Sequence, residues 1–380
     1  MVLSRFRIRK KRPNLREEAA ASPNRRRRPR LIGQDPHRLL THAERAGWIG
    51  GKRELLAVWR DYAEDFIRSR PVLPAEERKW LMSHGFDKDA AWLYGLPGEH
   101  AESYISSLQS RLMPQINGLD SPLLASRALF MQTFRDQLPW PIPLAQAVGG
   151  RMLRNDAGMA EWLAVAEGRR SCIRPAFISS GPVSIFPAGS SPLARWLGGE
   201  QSLSMDNAST QDNQLMGLAP VSDWFGESER VRSHRFKLLL LRAPRSRKFS
   251  LIAACLVLGS QNGAFEADTV SVQIDPANGR PRSFVQRLPE RVAVHLEQGR
   301  WNGCLLPTTP APGWADFTAQ LLEALNGLPL LEWLQVEADL STDGFTLLDA
   351  TDNLDSAAYQ VHQPLMEHAL CRRFMMEYCL

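Results

Sequence analysis

From residue 235 onward the apolar residues arrive in strand-length runs, and this limits the fold more than any other feature of the chain. Leu238, Leu239, Leu240 and Leu241 stand together, and residues 251–258 form a second run. Both fall well short of the roughly 20 apolar residues that a membrane helix needs. They predict buried strands instead. Strands are expected over 236–241, 249–258, 269–274, 333–340 and 345–348, with one amphipathic helix, 314–325, between the third and the fourth. Mixed elements in this order predict an α+β fold rather than a parallel doubly wound sheet.

The preceding residues read differently. Residues 35–119 have helical periodicity: over Lys52–Arg68, Leu55, Leu56, Val58, Trp59, Tyr62, Phe66 and Ile67 recur at spacings of three and four. Pro71 and Pro74 interrupt that pattern, and further helices are expected over 76–82 and 101–112. Residues 120–170 read as a linker: a helical run over 121–134, then Pro141, Ile142 and Pro143. A strand over 171–175 opens the main domain, 171–380. Within it, residues 198–222 are rich in Ser, Asn, Gln, Asp and Gly and read as a mobile loop or lid.

Charge is concentrated rather than spread. Residues 1–31 hold twelve Lys and Arg against Glu17 and Glu18, a net of +10 in a chain whose total is +5, so the remainder is net −5. A segment of this composition cannot bury enough apolar area to offset its ordering entropy, so residues 1–34 are expected to be disordered. The tail suits an anionic membrane surface or a solubility role, with nucleic acid ranked last. No apolar stretch of a secretory signal follows it. The five cysteines are scattered, with no C-x-x-C pair, which disfavours a zinc or disulfide framework and makes a reducing cytoplasm the simplest compartment. The eight histidines show no metal-binding spacing.

Chemistry concentrates near the C-terminus. Residues 336–351 read as two strands joined by a Thr342-Asp343-Gly344 turn, with Glu337 near the start of the first strand and Asp349 near the end of the second. An antiparallel hairpin brings those positions together. On one face they would offer carboxylate oxygens suited to Mg²⁺, a hard cation that also takes phosphate oxygens.

This stretch resembles the closing hairpin of the sugar-transfer-associated ATP-grasp family, which reads close to W-D-V-A-L-T-x-D-G-x-x-L-L-E-x-N. Without a gap, Glu337 falls on the family's Asp, Asp349 on its Glu and Thr351 on its Asn, with Asn353 as a substitute one register step away. Residues 360–365 and Arg372-Arg373-Phe374 resemble its tail. Upstream, Cys172-Ile173-Arg174-Pro175 and Gly181-Pro182-Val183 resemble its V-x-K-P strand and glycine-rich turn, with Arg174 in the place of Lys. Arg235 matches the Arg of N-T-x-R, and Ser126-Arg127 stands where the family has Asp-Lys. Ala267-Asp268-Thr269 stands in place of its Asp-Asn motif.

The resemblance, over roughly residues 90–380, implies an ATP-grasp fold of two α+β lobes. It implies ATP and Mg²⁺ as cofactors, and ligation of a carboxylate to an amine or thiol through an acyl phosphate. It implies Arg235 as a catalytic phosphate or carboxylate contact, Arg174 and Gly181 as nucleotide contacts, and Glu337, Asp349, Thr351 or Asn353 as metal ligands. The family's gene company implies surface polysaccharide or sugar-conjugate biosynthesis. The altered positions leave a second reading open: a degenerate ATP-grasp scaffold without catalysis, acting through protein or anionic-surface contacts.

Overall fold

A computed structural model of the protein describes residues 52–69, 73–98, 100–148, 151–155, 170–175, 183–186, 213–226, 231, 233–244, 246–260, 262–289, 292–296, 299–328 and 331–378. The basic tail and Gly181 lie outside these residues, as does 198–212 of the expected lid.

The helical region contains α1 (Lys52–Arg68), α2 (Ala75–Ser83), α3 (Ala90–Leu93) and α4 (Ser107–Leu112). Leu55, Tyr62 and Phe66 of α1 share one buried cluster with Leu81, Phe86 and Leu108. The helix expected over 101–112 is broken. Ser106 is extended, its hydroxyl accepts from the Gln109 amide, and the Gln109 side chain accepts from the Ser106 amide. This reciprocal cap starts a new helix where the apolar spacing alone suggested continuity. Two short helices follow, α5 (Ser121–Ala125) and α6 (Arg127–Thr133).

Next comes a five-stranded sheet of β1 (Ile142–Val148), β2 (Arg151–Asn155), β3 (Arg170–Pro175), β4 (Ser184–Phe186) and β5 (Asn213–Leu218), in the order β2-β1-β5-β3-β4. Two sequence expectations change here. A boundary at 171 cuts this sheet, because β1 and β2 come from the segment read as a linker. Prolines at 141 and 143 disguise β1, whose register shifts just after Pro143. The expected loop 198–222 also contains β5, which lies between β1 and β3. Its polar start hides a strand that buries Met216 and Leu218.

The larger sheet has seven antiparallel strands: β6 (His234–Arg242), β7 (Phe249–Leu258), β8 (Val270–Ile274), β9 (Pro281–Arg287), β10 (Ala293–His295), β13 (Trp333–Ser341) and β14 (Gly344–Thr351). Their order is β10-β9-β8-β7-β6-β13-β14. A small hairpin, β11 (Arg300–Trp301) and β12 (Cys304–Leu305), and the helix α7 (Trp314–Asn326) connect β10 to β13. The architecture is therefore α+β with antiparallel sheets.

The two faces of this sheet differ in kind. On one, Phe236, Leu238, Leu256, Val272, Leu334 and Val336 gather with Trp314, Phe317 and Leu321 of α7 in a single buried cluster. On the other, directly opposite residues form a row across six strands: Asp349, Glu337, Lys237, Cys255, Gln273 and Ser283. Opposite residues of antiparallel neighbours share a face, so this row is a polar band inside the protein. The chain's end covers part of it through α8 (Ser356–Gln360), followed by α9 (Ala369–Tyr378).

Candidate functional site

The β13–β14 hairpin closes through Ser341 opposite Gly344, leaving Thr342 and Asp343 as its loop. Gly344 has φ 102, a conformation that disfavours a side chain, and the Ser341 hydroxyl accepts from the Asp343 amide at 3.2 Å. From this turn the register runs back to place Glu337 directly opposite Asp349. A bulge follows at once: Ala338 faces Leu347, which leaves Leu348 as the extra residue. Leu348 joins Cys172, Val183, Met216 and Leu218 of the smaller sheet in a buried cluster. The two carboxylates thus share the polar band where the two sheets meet.

Around them the chain supplies its own cations. Arg235 Nη1 donates to Glu337 Oε2 at 2.7 Å, and Lys237 Nζ lies 3.5 Å from Glu337 Oε1. Lys237 Nζ also donates to Asp355 Oδ2 at 2.6 Å. Arg127 Nε donates to Asp349 Oδ1 at 2.9 Å, and the same oxygen accepts from the Ala350 amide. Arg174, 1% exposed, donates to the carbonyls of Arg127 and Leu348, and its guanidinium lies over the Trp140 ring at 5.8 Å. Arg235, 0% exposed, also donates to the carbonyls of Val183 and Asn262. Gly263 is part of this clamp. With φ 75, and with any Cβ falling 2.4 Å from Arg235 Cδ, the position requires glycine.

The electrostatics follow from this packing. Burial pushes the Glu337 carboxyl up, but Lys237 and Arg235 together outweigh it and hold the group below its ordinary value. Burial pushes the Asp349 carboxyl up too, and there it wins over Arg127, with the Glu337 charge adding to the rise. Burial lowers Lys237, yet Asp355 and Glu337 more than reverse this and leave it raised. Arg174 is lowered by burial.

The expected ligands Thr351 and Asn353 are arranged for local structure. The buried Thr351 hydroxyl accepts from the Asn353 amide at 3.0 Å, and Asn353 is exposed just past the strand. Sequence reasoning did not find Lys237 and Asp355, and noted Arg127 only as a replaced letter. It also missed a second buried pair, in which both terminal nitrogens of Arg170 reach Asp339, at 3.0 and 2.7 Å. The available signals were a Lys inside an apolar strand, and Arg170 four residues before Arg174 on the same strand face.

The arrangement does not fit the Mg²⁺ that the resemblance implies. Mg²⁺ asks for near-octahedral oxygens, whereas both Glu337 oxygens already face cations and Asp349 Oδ1 accepts two bonds. Among the described residues, no group of three or more His, Cys, Asp or Glu could hold a metal ion. A pocket of about 260 Å³ opens elsewhere, lined by Gln273, Asp275, Arg282, Tyr359, His362 and His368 among others, and it includes none of the expected site residues.

No protein-family model matches the sequence, and no curated protein matches it. Solved structures similar to it include a D-alanine–D-alanine ligase from Bacillus anthracis, at 8% identity and a TM-score of 0.38, covering 74% of this chain and 77% of that one. Another is a D-cycloserine synthetase, at 12% identity and 0.34, covering 68% and 73%. A third is an ADP complex of an N5-carboxyaminoimidazole ribonucleotide synthetase, at 10% identity and 0.34, covering 66% and 52%. The chain thus spans about half the length of that synthetase. At such scores none of these overlaps bears on function.

Proposed function

We propose that this chain is an ATP-grasp-type scaffold whose centre is closed by its own side chains, and that it acts through protein or anionic-surface contacts rather than by ligation. One observation carries the reading. Where a phosphoryl-transfer centre needs open carboxylate oxygens and open cationic donors, Glu337 and Asp349 are each bonded by a buried guanidinium of the chain. The cluster holds four cations, Arg127, Arg174, Arg235 and Lys237, against Glu337, Asp349 and Asp355. Each of the three carboxylates thus has a cation of the chain beside it, and one positive charge is left over. The test is a melting curve of the full chain with millimolar Mg²⁺ and ATP. The scaffold reading expects no shift; a ligand at a hundredfold excess over its Kd would add about 2.7 kcal/mol.

A second reading, an ATP-dependent carboxylate–amine or carboxylate–thiol ligase in surface polysaccharide or sugar-conjugate biosynthesis, draws on a different observation. Glu337 and Asp349 stand in register on one face, beside basic groups from both sheets. On this reading Arg174 and Arg235 exchange their present partners for phosphate, the turn at Gly181 covers it, and Thr351 or Asn353 completes the oxygen set. A nucleotide-dependent rise in melting temperature, lost in Arg174→Ala, would decide for it.

A further inference from the structure

On the Asp349 side, the mismatch between the carboxylate pair and a divalent cation comes from Arg127. Arg127 is the first residue of α6, where a helix favours negative rather than positive charge. Helix electrostatics therefore do not explain an arginine there. The residue is 4% exposed, its Nε donates to Asp349 at 2.9 Å, and its charge opposes the rise that burial gives the Asp349 carboxyl and adds to the lowering of Glu337. Its backbone is pinned from the other sheet, since the Arg127 carbonyl accepts from Arg174 Nη2 at 3.2 Å. A buried cation is thus fixed from two directions beside two carboxylates that face each other across a hairpin.

We propose that the Arg127 guanidinium takes the place of a divalent metal beside Glu337 and Asp349, making this centre metal-independent. Two carboxylates opposite each other on adjacent strands repel unless a cation lies near them. Mg²⁺ would supply two charges from solvent; Arg127, with Arg235 and Lys237 on the Glu337 side, brings three that are covalently attached. A divalent cation entering now would meet like charge within a few ångströms. Even at a moderate effective dielectric this costs at least about a factor of ten in affinity. Without Arg127, Asp349 loses the side-chain cation bonded to it and its carboxylate is freed toward a divalent cation, while Glu337 keeps Arg235 and Lys237.

The inference takes the identity of the two carboxylates from the scaffold reading, and Mn²⁺ without nucleotide keeps the two separate. Full-length, metal-stripped protein is titrated with Mn²⁺, and the free-ion electron paramagnetic resonance signal is followed. Wild type should leave the signal unattenuated. Arg127→Gln should attenuate it at a site with at least about tenfold higher affinity than any in wild type, and the R127Q/D349N double variant should restore it. Arg127→Lys, which keeps the charge, should behave as wild type. Mn²⁺ bound by wild type or by R127K, and lost on Asp349→Asn, overturns the proposal even if R127Q does not fold. So does a folded R127Q that binds no Mn²⁺. An ATP-induced melting shift, by contrast, sinks the scaffold reading alone.

Discussion

Burial penalises charge at Asp349 and at His362 alike, yet the two make stability depend on pH in opposite directions. His362 sits between two serines, with Nδ1 2.8 Å from Ser283 Oγ and Nε2 2.9 Å from Ser271 Oγ. Ser271 donates its own proton to the Ala358 carbonyl, so it accepts from the ring. Burial, with the His295 charge adding, lowers His362 to about 3. In the unfolded chain the ring titrates near the ordinary value of about 6.5. Below that pH the unfolded state binds a proton that the folded state refuses. The stabilisation is complete above about 6.5 and is lost as pH falls toward 3, with a slope approaching about 1.4 kcal/mol per pH unit. Denaturant titrations at several pH values should show this slope, and His362→Gln should flatten it; an unchanged slope in the variant would assign it elsewhere. Asp349, raised in the folded state, contributes with the opposite sign, fully at low pH and fading as pH rises through its folded value. Asp349→Ala nevertheless leaves Arg127 buried without its carboxylate, and at pH 7 should cost about 3–5 kcal/mol. A variant as stable as wild type would mean that the pair contributes nothing. Glu337 and Asp349 were legible as partners because a two-residue hairpin loop fixes their register. Arg127 was not, because it lies 222 residues from Asp349 in sequence and only the completed fold joins them.

At the scale of elements, legibility followed the clarity of the local pattern. Lys52–Arg68 and Phe249–Leu258 form over the expected residues, since each carries one strong periodicity and clear ends. The strands β1 and β5 stayed hidden because prolines and amides in them are local votes for a loop, overridden by pairing on both edges. The polar band was hidden for a similar reason. Lys237 interrupts an apolar strand that is buried throughout, and nothing in its neighbours announces Glu337 and Asp355 as partners. One joint between elements is testable directly. Gly279, in the turn between β8 and β9, has φ 73, and a Cβ there would fall 2.4 Å from Cγ of Trp314, the first residue of α7. Gly279→Ala therefore combines left-handed strain with overpacking and should cost about 2–4 kcal/mol. Thermal melts of the variant would read this, and a loss below about 1 kcal/mol would mean that α7 shifts freely on the sheet.

Across the whole molecule, side-chain amides tie the helical region to the larger sheet. Asn117 accepts from the amides of Glu332 and Trp333 and donates to the Trp333 carbonyl. Gln360 accepts from the Ile105 amide and donates to its carbonyl. The helical region is thus tied to β13 through Asn117 and to α8 through Gln360. The scaffold reading needs a contact surface, and we propose the tail for it on the strength of its charge. No helix among the described residues is long and apolar enough to cross a membrane. Twelve Lys and Arg in residues 1–31 face only two acidic residues, while the rest of the chain is net negative. Near an anionic bilayer each basic residue is worth about 1 kcal/mol, an attraction that fades beyond a Debye length. Deleting residues 1–31 should therefore leave the melting temperature unchanged, since a segment with so little apolar content contributes few packed contacts. Co-sedimentation with vesicles containing phosphatidylserine should fall sharply on deletion, and for the full chain it should fall as salt rises from about 50 to 500 mM. Neutral phosphatidylcholine vesicles should retain neither protein. Equal binding of the two proteins to anionic vesicles would remove the membrane role of the tail and leave it only a solubility role.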